Sequence, residues 1–176
     1  MVRRDTEIRP GSRPVFLAFA LLLAAGGAPA EQRLHTGDAG TGPLETTLSR
    51  VIKEAQARLE GAACREVFSD FRTADGRSLQ ESLDAAGASG GQYLESLVFF
   101  DGNGKSRCDD RGTLASTSPN SRVIYVCGPQ FLDRARRDPG LASALIIHEE
   151  LHSLGLGENP PTSKHITAHV IERCGR

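Results

Sequence analysis

The segment HEELH at residues 148–152 decides how the central part of this chain folds. It lies inside the apolar, helix-forming run at 141–154, so we predict that it is helical. Residues four apart share one face of a helix, and the imidazoles of His148 and His152 therefore project side by side. This spacing is the one needed to chelate a single Zn²⁺ ion. Glu149 lies about 100° further round the helix, where its carboxylate can hold a water molecule on the metal without being a ligand.

Both ends of this helix carry recognisable signals. Asp138 is suited to cap its N-terminus, and Pro139 is suited to the first helical position. Gly155 follows the last apolar residue, and a glycine at that place adopts the left-handed conformation that ends many helices. We therefore predict a helix that begins just after Asp138 and ends just before Gly155.

Residues 1–30 have the composition of a signal peptide. A basic start precedes an unbroken apolar run at 15–25, and APA at 28–30 supplies a small-x-small cleavage pattern. The apolar run is too short to span a bilayer, so we expect no stable membrane anchor after cleavage. The exported chain, secreted or periplasmic, is then predicted to hold a flexible, Gly-rich arm over 31–42 and one domain over 43–176.

The four cysteines are an even number in a sequence that is predicted to be exported. Such a set predicts two disulfides in an oxidising compartment. Parity does not choose among the possible pairings. We expect Cys108–Cys127, which would tie a polar stretch to the strand before the metal-binding helix. We also expect Cys64–Cys174, which would clamp the first long helix to the C-terminus.

The remaining pattern is that of an α+β fold with a sheet of few strands. Apolar residues at helical spacing follow Pro43 and predict a first helix that Gly61 can end. Further helices are expected at 79–86, before a flexible turn at 87–91, and at 163–173 near the C-terminus. Runs of apolar, β-branched and aromatic residues predict short strands at 67–71, 97–100, 114–117 and 123–126.

The sequence DGNG at 101–104 is similar to the start of a calcium-binding loop. However, Lys105 stands where the next ligand belongs, and Ser106 replaces the glycine that the turn of such a loop needs. We therefore predict a plain hairpin turn at this position.

The residues after the metal-binding helix extend its motif. With Gly155 and Glu158 the chain reads H-E-x-x-H-x-x-G-x-x-E from His148 onward. This resembles the zincin metallopeptidases, and in particular the metzincin signature H-E-x-x-H-x-x-G-x-x-H. The resemblance implies a small zincin-like domain in which residue 158 returns to the metal as the third protein ligand, and a carboxylate binds zinc at about the same distance as an imidazole. The Met-turn of the metzincins is not present, because the single methionine is Met1.

Three residues of the predicted C-terminal helix compete with Glu158 as the third ligand. They are His165, His169 and Glu172, which fall on one face of that helix. Zincins that resemble thermolysin take a glutamate from a later helix, and Glu172 is the nearest counterpart here. We favour Glu158 because the Gly- and Pro-rich segment around it forms a short, stiff tether.

Together these patterns predict an exported zinc-dependent metallopeptidase that acts on a peptide or protein substrate. His148, His152 and Glu158 would hold Zn²⁺. Glu149 would accept a proton from the water that the metal activates and deliver it to the leaving amine.

Two other functions fit the same residues. One is a zinc amidohydrolase that acts on a non-peptide amide, and the other is an exported zinc-binding or interaction domain without turnover. The formal net charge of −1 and the lack of a basic run argue against a nucleic-acid partner. No motif marks an oxyanion-stabilising group, for which the tyrosines Tyr93 and Tyr125 and the histidines His165 and His169 are candidates.

Overall fold

The computed structural model describes residues 42–175. The predicted signal peptide and residues 31–41 of the predicted arm lie outside the described residues. The described part is an α+β fold, as predicted, and no helix in it is long and apolar enough to cross a membrane. Its elements follow in the order α1 (Pro43–Leu59), α2 (Ala62–Arg65), α3 (Val67–Asp70), α4 (Leu79–Ala86), α5 (Gly90–Glu95), β1 (Val98–Asp101), a 3-10 turn η1 (Ser106–Cys108), β2 (Ala115–Ser116), β3 (Val123–Val126), α6 (Gly128–Arg137), α7 (Pro139–Ser153) and α8 (Ser163–Cys174).

Helix α1 is the amphipathic helix predicted from residue 43. Pro43 occupies its first turn, and the helix ends at Leu59, two residues before Gly61. Its apolar stripe packs against α5, α6 and α7. Each aliphatic side chain larger than alanine contributes roughly 1.5–3 kcal/mol when it is buried in this way. The buried members of the stripe are Leu48, Val51, Ile52, Ala55 and Leu59.

Strands β1, β2 and β3 form a sheet in the order β1-β3-β2, and they correspond to three of the predicted strands. β1 and β3 run parallel, with Val98 opposite Val123. β2 runs antiparallel to β3, with Ala115 opposite Val126. Within residues 42–175, β2 is therefore an edge strand, and it lies next to α7.

The sequence DGNG at 101–104 forms a turn, but the predicted hairpin is wrong. Lys105 N donates to the carbonyl of Gly102 at 2.9 Å, and Asp101 Oδ1 accepts from Asn103 N at 2.9 Å. The chain then enters η1, and β1 pairs with β3 in parallel, which requires a crossover connection in place of a tight hairpin. Local turn chemistry does not reveal which strand pairs with β1, and this is why the prediction failed.

The predicted strand at 67–71 is also wrong, because most of these residues form the short helix α3. Val67, Phe68 and Phe71 are buried. Their i, i+1, i+4 spacing is that of one face of a helical turn, whereas a half-buried strand would bury every second residue. The prediction failed because it relied on the apolar and aromatic composition of a very short run.

The flexible turn predicted at 87–91 is partly wrong, because α5 begins at Gly90. Ser89 Oγ accepts from Gln92 N and Gln92 Oε1 accepts from Ser89 N, which is a capping box. A Cβ on Gly90 would lie 2.6 Å from Phe68 Cε2, so glycine lets α5 approach that ring. The spacing of Ser89 and Gln92 is the sequence signal that predicts this helix.

Two disulfides connect distant parts of the described chain, and both expected pairings are confirmed. Cys64–Cys174 joins α2 to the end of α8, and Cys108–Cys127 joins η1 to the residue that precedes α6. The first bond closes a sequence separation of 110 residues. On the chain-entropy model a loop of that length stabilises the fold by about 4–5 kcal/mol. This bond holds the C-terminal end of α8 against α2.

Candidate metal centre

Helix α7 carries the HEELH segment, and both of its predicted ends are confirmed. Asp138 Oδ1 accepts a hydrogen bond from Leu141 N at 3.0 Å, and Pro139 occupies the first turn. Beyond the other end, Gly155 has φ +110°, and its N–H donates to the carbonyl of His152 at 2.8 Å. The helix is fixed at both termini and buried along most of its length.

Three side chains of the types that bind metal ions meet at the C-terminal half of α7. His148 Nε2 and His152 Nε2 are 3.0 Å apart. Glu158 Oε1 lies 3.3 Å from His152 Nε2 and 3.8 Å from His148 Nε2. The histidines are 2% and 5% exposed, whereas the side chain of Glu158 is 40% exposed. This His148–His152–Glu158 group could hold a metal ion.

Hydrogen bonds at the Nδ1 atoms fix the orientation of the two imidazole rings. His152 Nδ1 donates to the carbonyl of Leu156 at 2.8 Å, so the neutral ring presents the lone pair of Nε2. His148 Nδ1 lies 2.9 Å from Thr167 Oγ1 on α8. Burial, with the neighbouring His152, lowers the pKa of His148 to about 3, and this keeps its ring neutral. Partners of this kind fix the orientation of metal-binding histidines.

The loop after α7 brings Glu158 to the histidines. The left-handed backbone at Gly155 reverses the chain immediately past the helix. A Cβ at residue 155 would lie 2.9 Å from Asn120 Oδ1 and 2.9 Å from Thr73 Cγ2, so both conformation and space require glycine. The tether that the sequence predicted is therefore present, with Glu158 three residues beyond the glycine.

The competing candidates from α8 lie elsewhere. His169 Nε2 is 2.7 Å from Asp70 Oδ2, and its Nδ1 is 3.5 Å from Glu172 Oε2. Arg173 Nε donates to the same oxygen of Asp70 at 2.7 Å. His165 stacks on His169, with the ring centroids 6.4 Å apart. Among residues 42–175 these side chains do not join the His148–His152–Glu158 group, and α8 reaches that group through Thr167, a contact that no motif in the sequence indicates.

Glu149 lies beside the metal-ligating group with part of its hydrogen-bonding capacity unused. Its side chain is 7% exposed, and Oε2 is buried without a partner among the described residues. Burial raises the pKa of Glu149 to about 8; a hydrogen bond from the backbone N–H of Thr117 opposes this rise, and the charge of Glu158 adds to it. A nearby cation would favour the ionised form of this carboxyl group.

The two histidines, Glu149 and Glu158 line a single cavity. It has a volume of about 570 Å³ and lies between α7 and the β2 segment. His148, Glu149, His152 and Glu158 line one side, and Ala115 to Thr117 line another. The predicted ligands and the predicted base therefore share one solvent-connected cleft, which we call the metal cleft.

The two tyrosines do not line the metal cleft. Tyr93 is buried, and its hydroxyl lies 3.2 Å from the carbonyl oxygen and 3.0 Å from the Oγ of Ser153. Tyr125 packs against Phe100, and the guanidinium of Arg107 lies over its ring. Neither hydroxyl is positioned to act on a ligand in the cleft.

Glu150, the other carboxyl of the motif, does not line the metal cleft. It is fully buried, and neither of its carboxyl oxygens has a partner among the described residues. Burial raises its pKa well above the ordinary value for glutamate. Glu150 therefore lies apart from the cleft that His148 and His152 line.

No protein-family model matches this chain, and neither a curated protein nor a solved structure matches it. The resemblance to the zincins therefore rests on the motif at residues 148–158. The convergence of His148, His152 and Glu158 is a separate observation, because it comes from the folded arrangement of the chain.

Proposed function

We propose that this protein is an exported zinc-dependent metallopeptidase. One observation carries the proposal: two buried imidazoles and a carboxylate meet at the wall of a cleft that also contains a buried, partly unpartnered glutamate. Three protein ligands and an open side are typical of catalytic zinc sites, whereas structural sites are closed by four.

The donor set suits zinc. Nitrogen from His148 and His152 and oxygen from Glu158 are ligands that Zn²⁺ accepts, and the combination matches the two-histidine, one-glutamate type of catalytic site. Two Zn–N bonds at a tetrahedral angle separate the nitrogens by about 3.3 Å. The observed separation of 3.0 Å between the Nε2 atoms is close to that value. Zinc bound here would polarise a substrate carbonyl. It would also lower the pKa of a water molecule, so that this water loses a proton more easily as it attacks the carbonyl.

Glu149 is the proposed general base. The Thr117 N–H holds its carboxyl group, and Oε2 is buried without a hydrogen-bond partner among the described residues. This oxygen is the one that we propose contacts the attacking water molecule. In the ionised state Glu149 would orient that water, accept its proton and transfer the proton to the leaving amine. Burial lowers the pKa of His148 and keeps its ring neutral, and the hydrogen bond from Nδ1 of His152 to Leu156 leaves Nε2 of that ring directed at the metal.

The edge strand favours an extended peptide as the substrate. β2 pairs with β3 on one side only within residues 42–175, and Ala115 and Ser116 line the metal cleft. A free strand edge can add an extended peptide through backbone hydrogen bonds. Such a peptide would lie along β2, next to Glu149.

The disulfides support export. Cys64–Cys174 and Cys108–Cys127 use all four cysteines of the chain. Disulfides of this kind persist in secreted and periplasmic proteins and are rare in the cytosol. This agrees with the signal peptide expected at residues 1–30.

The test combines metal analysis with an assay of peptide hydrolysis on the purified mature chain. We expect one zinc per chain and measurable cleavage of unstructured protein substrates. Glu149→Gln should keep the zinc and lose about two or more orders of magnitude in turnover, the usual contribution of a general base. Metal-free protein prepared without chelators would overturn the zinc assignment, and full activity of the Glu149→Gln protein would overturn the mechanism. Zinc without cleavage of any peptide would favour a binding domain or an enzyme that acts on another amide.

A further inference from the structure

A second cavity, of about 530 Å³, adjoins the metal cleft. Leu114 lines both cavities, so the two are neighbours across the segment that leads into β2. Three arginines line the second cavity: Arg111 from the loop before β2, and Arg134 and Arg137 from α6. We call it the arginine pocket.

The positive charge of the arginine pocket is only partly compensated. Its single acidic lining residue is Asp133, which forms an ion pair with Arg137. Within residues 42–175, neither Arg111 nor Arg134 has a carboxylate at ion-pair distance. The Nε of Arg134 is also shielded from solvent without an acceptor among those residues. Polar groups that are buried in a protein are normally hydrogen-bonded, so the Nε of Arg134 requires an acceptor that residues 42–175 do not supply.

A disulfide and two hydrogen bonds hold the pocket together. Cys108–Cys127 links the loop that carries Arg111 to the start of α6. Gln130 Nε2 on α6 donates to the carbonyl of Cys108 at 3.1 Å, and Cys127 N donates to the carbonyl of Leu114 at 2.9 Å. The arginines of the loop and of the helix therefore face one cavity before any ligand arrives, which reduces the entropy lost on binding.

The charges of the two cavities are opposite. Apart from its histidines, the metal cleft is lined by the ionisable residues Asp110, Glu149 and Glu158. Asp110 and Arg111 are consecutive, and they line the metal cleft and the arginine pocket respectively. A ligand that spans Leu114 would thus meet the proposed metal site and Asp110 on one side and guanidinium groups on the other.

We propose that the arginine pocket is a binding site for a carboxylate, with Arg111 and Arg134 as its principal donors. Guanidinium groups bind carboxylates through paired, charge-assisted hydrogen bonds. Because the pocket adjoins the metal cleft, the carboxylate belongs to the peptide substrate, as an acidic side chain or as the C-terminus. This last step rests on the proposed peptidase function, whereas the binding of a carboxylate does not.

The binding test uses N-acetylglutamate as the probe and the full mature chain, with its metal, as the receptor. Binding is followed by NMR through the Arg side-chain and backbone signals of 111 and 134. Arg134→Gln and Arg111→Gln should each weaken the affinity at least fivefold. Arg136→Gln removes the same charge from an exposed position on α6 outside the pocket and should leave the affinity unchanged. Arg134→Lys should retain part of the affinity, because the charge remains while the paired geometry is lost.

Two results would overturn the site. One is an absence of saturable binding to the wild-type chain at low salt. The other is an equal loss for Arg136→Gln and Arg134→Gln, which would indicate general attraction to a basic surface. Zinc content and the thermal midpoint are measured for every variant, so that a misfolded protein is not counted. If Arg134→Gln fails to fold, Arg111→Gln and Arg134→Lys decide the result.

The substrate test separates the two sources of the carboxylate. One peptide contains a glutamate and an amidated C-terminus, and the other contains glutamine and a free C-terminus. Arg134→Gln should raise KM for one of them at least fivefold and leave kcat nearly unchanged, while Arg136→Gln changes neither constant. Equal KM values in wild type and Arg134→Gln for both peptides would show that the arginine pocket does not bind a carboxylate of the substrate. If the wild type cleaves no peptide, the proposed function fails, and the NMR titration still decides whether the pocket binds a carboxylate.

Discussion

Two histidine pairs in this protein have the same spacing and different surroundings. His148 and His152 on α7 are four residues apart, and so are His165 and His169 on α8. The first pair is buried, with 3.0 Å between the Nε2 atoms. The second pair lies at the surface, with nearly parallel rings whose centroids are 6.4 Å apart. Spacing on a helix therefore does not suffice to make a metal site.

What separates the pairs is the use of the ring nitrogens. In the α7 pair the Nδ1 atoms contact Thr167 and Leu156, and both Nε2 atoms face Glu158. In the α8 pair, the Nε2 of His169 is engaged by Asp70. The first arrangement leaves both Nε2 atoms available to a metal ion. In the second, the Nε2 of His169 is used to attach α8 to α3.

The largest difference between the pairs is expected in zinc retention. His152→Ala removes one of the three proposed ligands and should reduce the zinc content of the purified chain to near zero. His169→Ala should retain one zinc per chain, because its ring is outside the group. Elemental analysis of both proteins measures the zinc content. Loss of zinc from His169→Ala alone would show that the metal site lies on α8 instead of α7.

A second comparison concerns the carboxylates that accompany each pair. Glu158→Ala should lose zinc during dialysis against a weak chelator, since it leaves two protein ligands. Glu172→Ala should behave like wild type, because Glu172 contacts His169 and not the α7 pair. The reverse outcome would exclude Glu158 as the third ligand.

A smaller effect is expected from the hydroxyl that supports His148. Thr167→Val removes the partner of Nδ1 and keeps the shape of the side chain. Loss of such a partner typically lowers metal affinity about 10–100-fold. Thr167→Ser keeps the hydroxyl and serves as the control. Competition with a chromogenic chelator gives the affinities, and equal values for the valine and serine variants would remove Thr167 from the metal site.

The smallest effect concerns the stability that the α8 pair supports. Burial alone would raise the pKa of Asp70, but hydrogen bonds from Arg173 and His169 outweigh it and hold the pKa below its ordinary value. A lowered pKa contributes stability above the ordinary aspartate pKa of about 3.9, and this contribution is lost as the pH falls through the folded-state value. Asp70→Asn should therefore cost on the order of 1 kcal/mol at neutral pH, because the cluster is partly exposed.

Urea unfolding at several pH values checks this prediction. The difference in free energy of unfolding between wild type and Asp70→Asn should be present at pH 7 and should shrink below about pH 4. Zinc content should be the same in both proteins. A difference that is independent of pH would show that the carboxylate charge of Asp70 is not its source.

Local signals predicted much of the fold. The capping aspartate and the ending glycine set the bounds of α7, and α4 ends before Gly87 as predicted. Three strands and both disulfide pairings were also predicted. Helices α2, α5 and α6 were not predicted, and two glycines at the start of α5 masked that helix. The strand predicted in place of α3 was wrong because a short apolar run is ambiguous, and the hairpin at 101–104 was wrong because the partner strand is distant in sequence.

The sequence by itself determined the spacing of His148 and His152, the helix that carries them and the short tether to Glu158. Those features depend on residues within one or two helical turns, whose relative positions backbone geometry fixes. Tertiary structure alone decided which nitrogen of His148 is free, since Thr167 comes from a different helix, and it brought Thr117 to Glu149. It also assembled Arg111 and Arg134 into one pocket. These contacts join residues far apart in the chain, and only the packing of the helices against the sheet brings them within hydrogen-bonding distance or around one cavity.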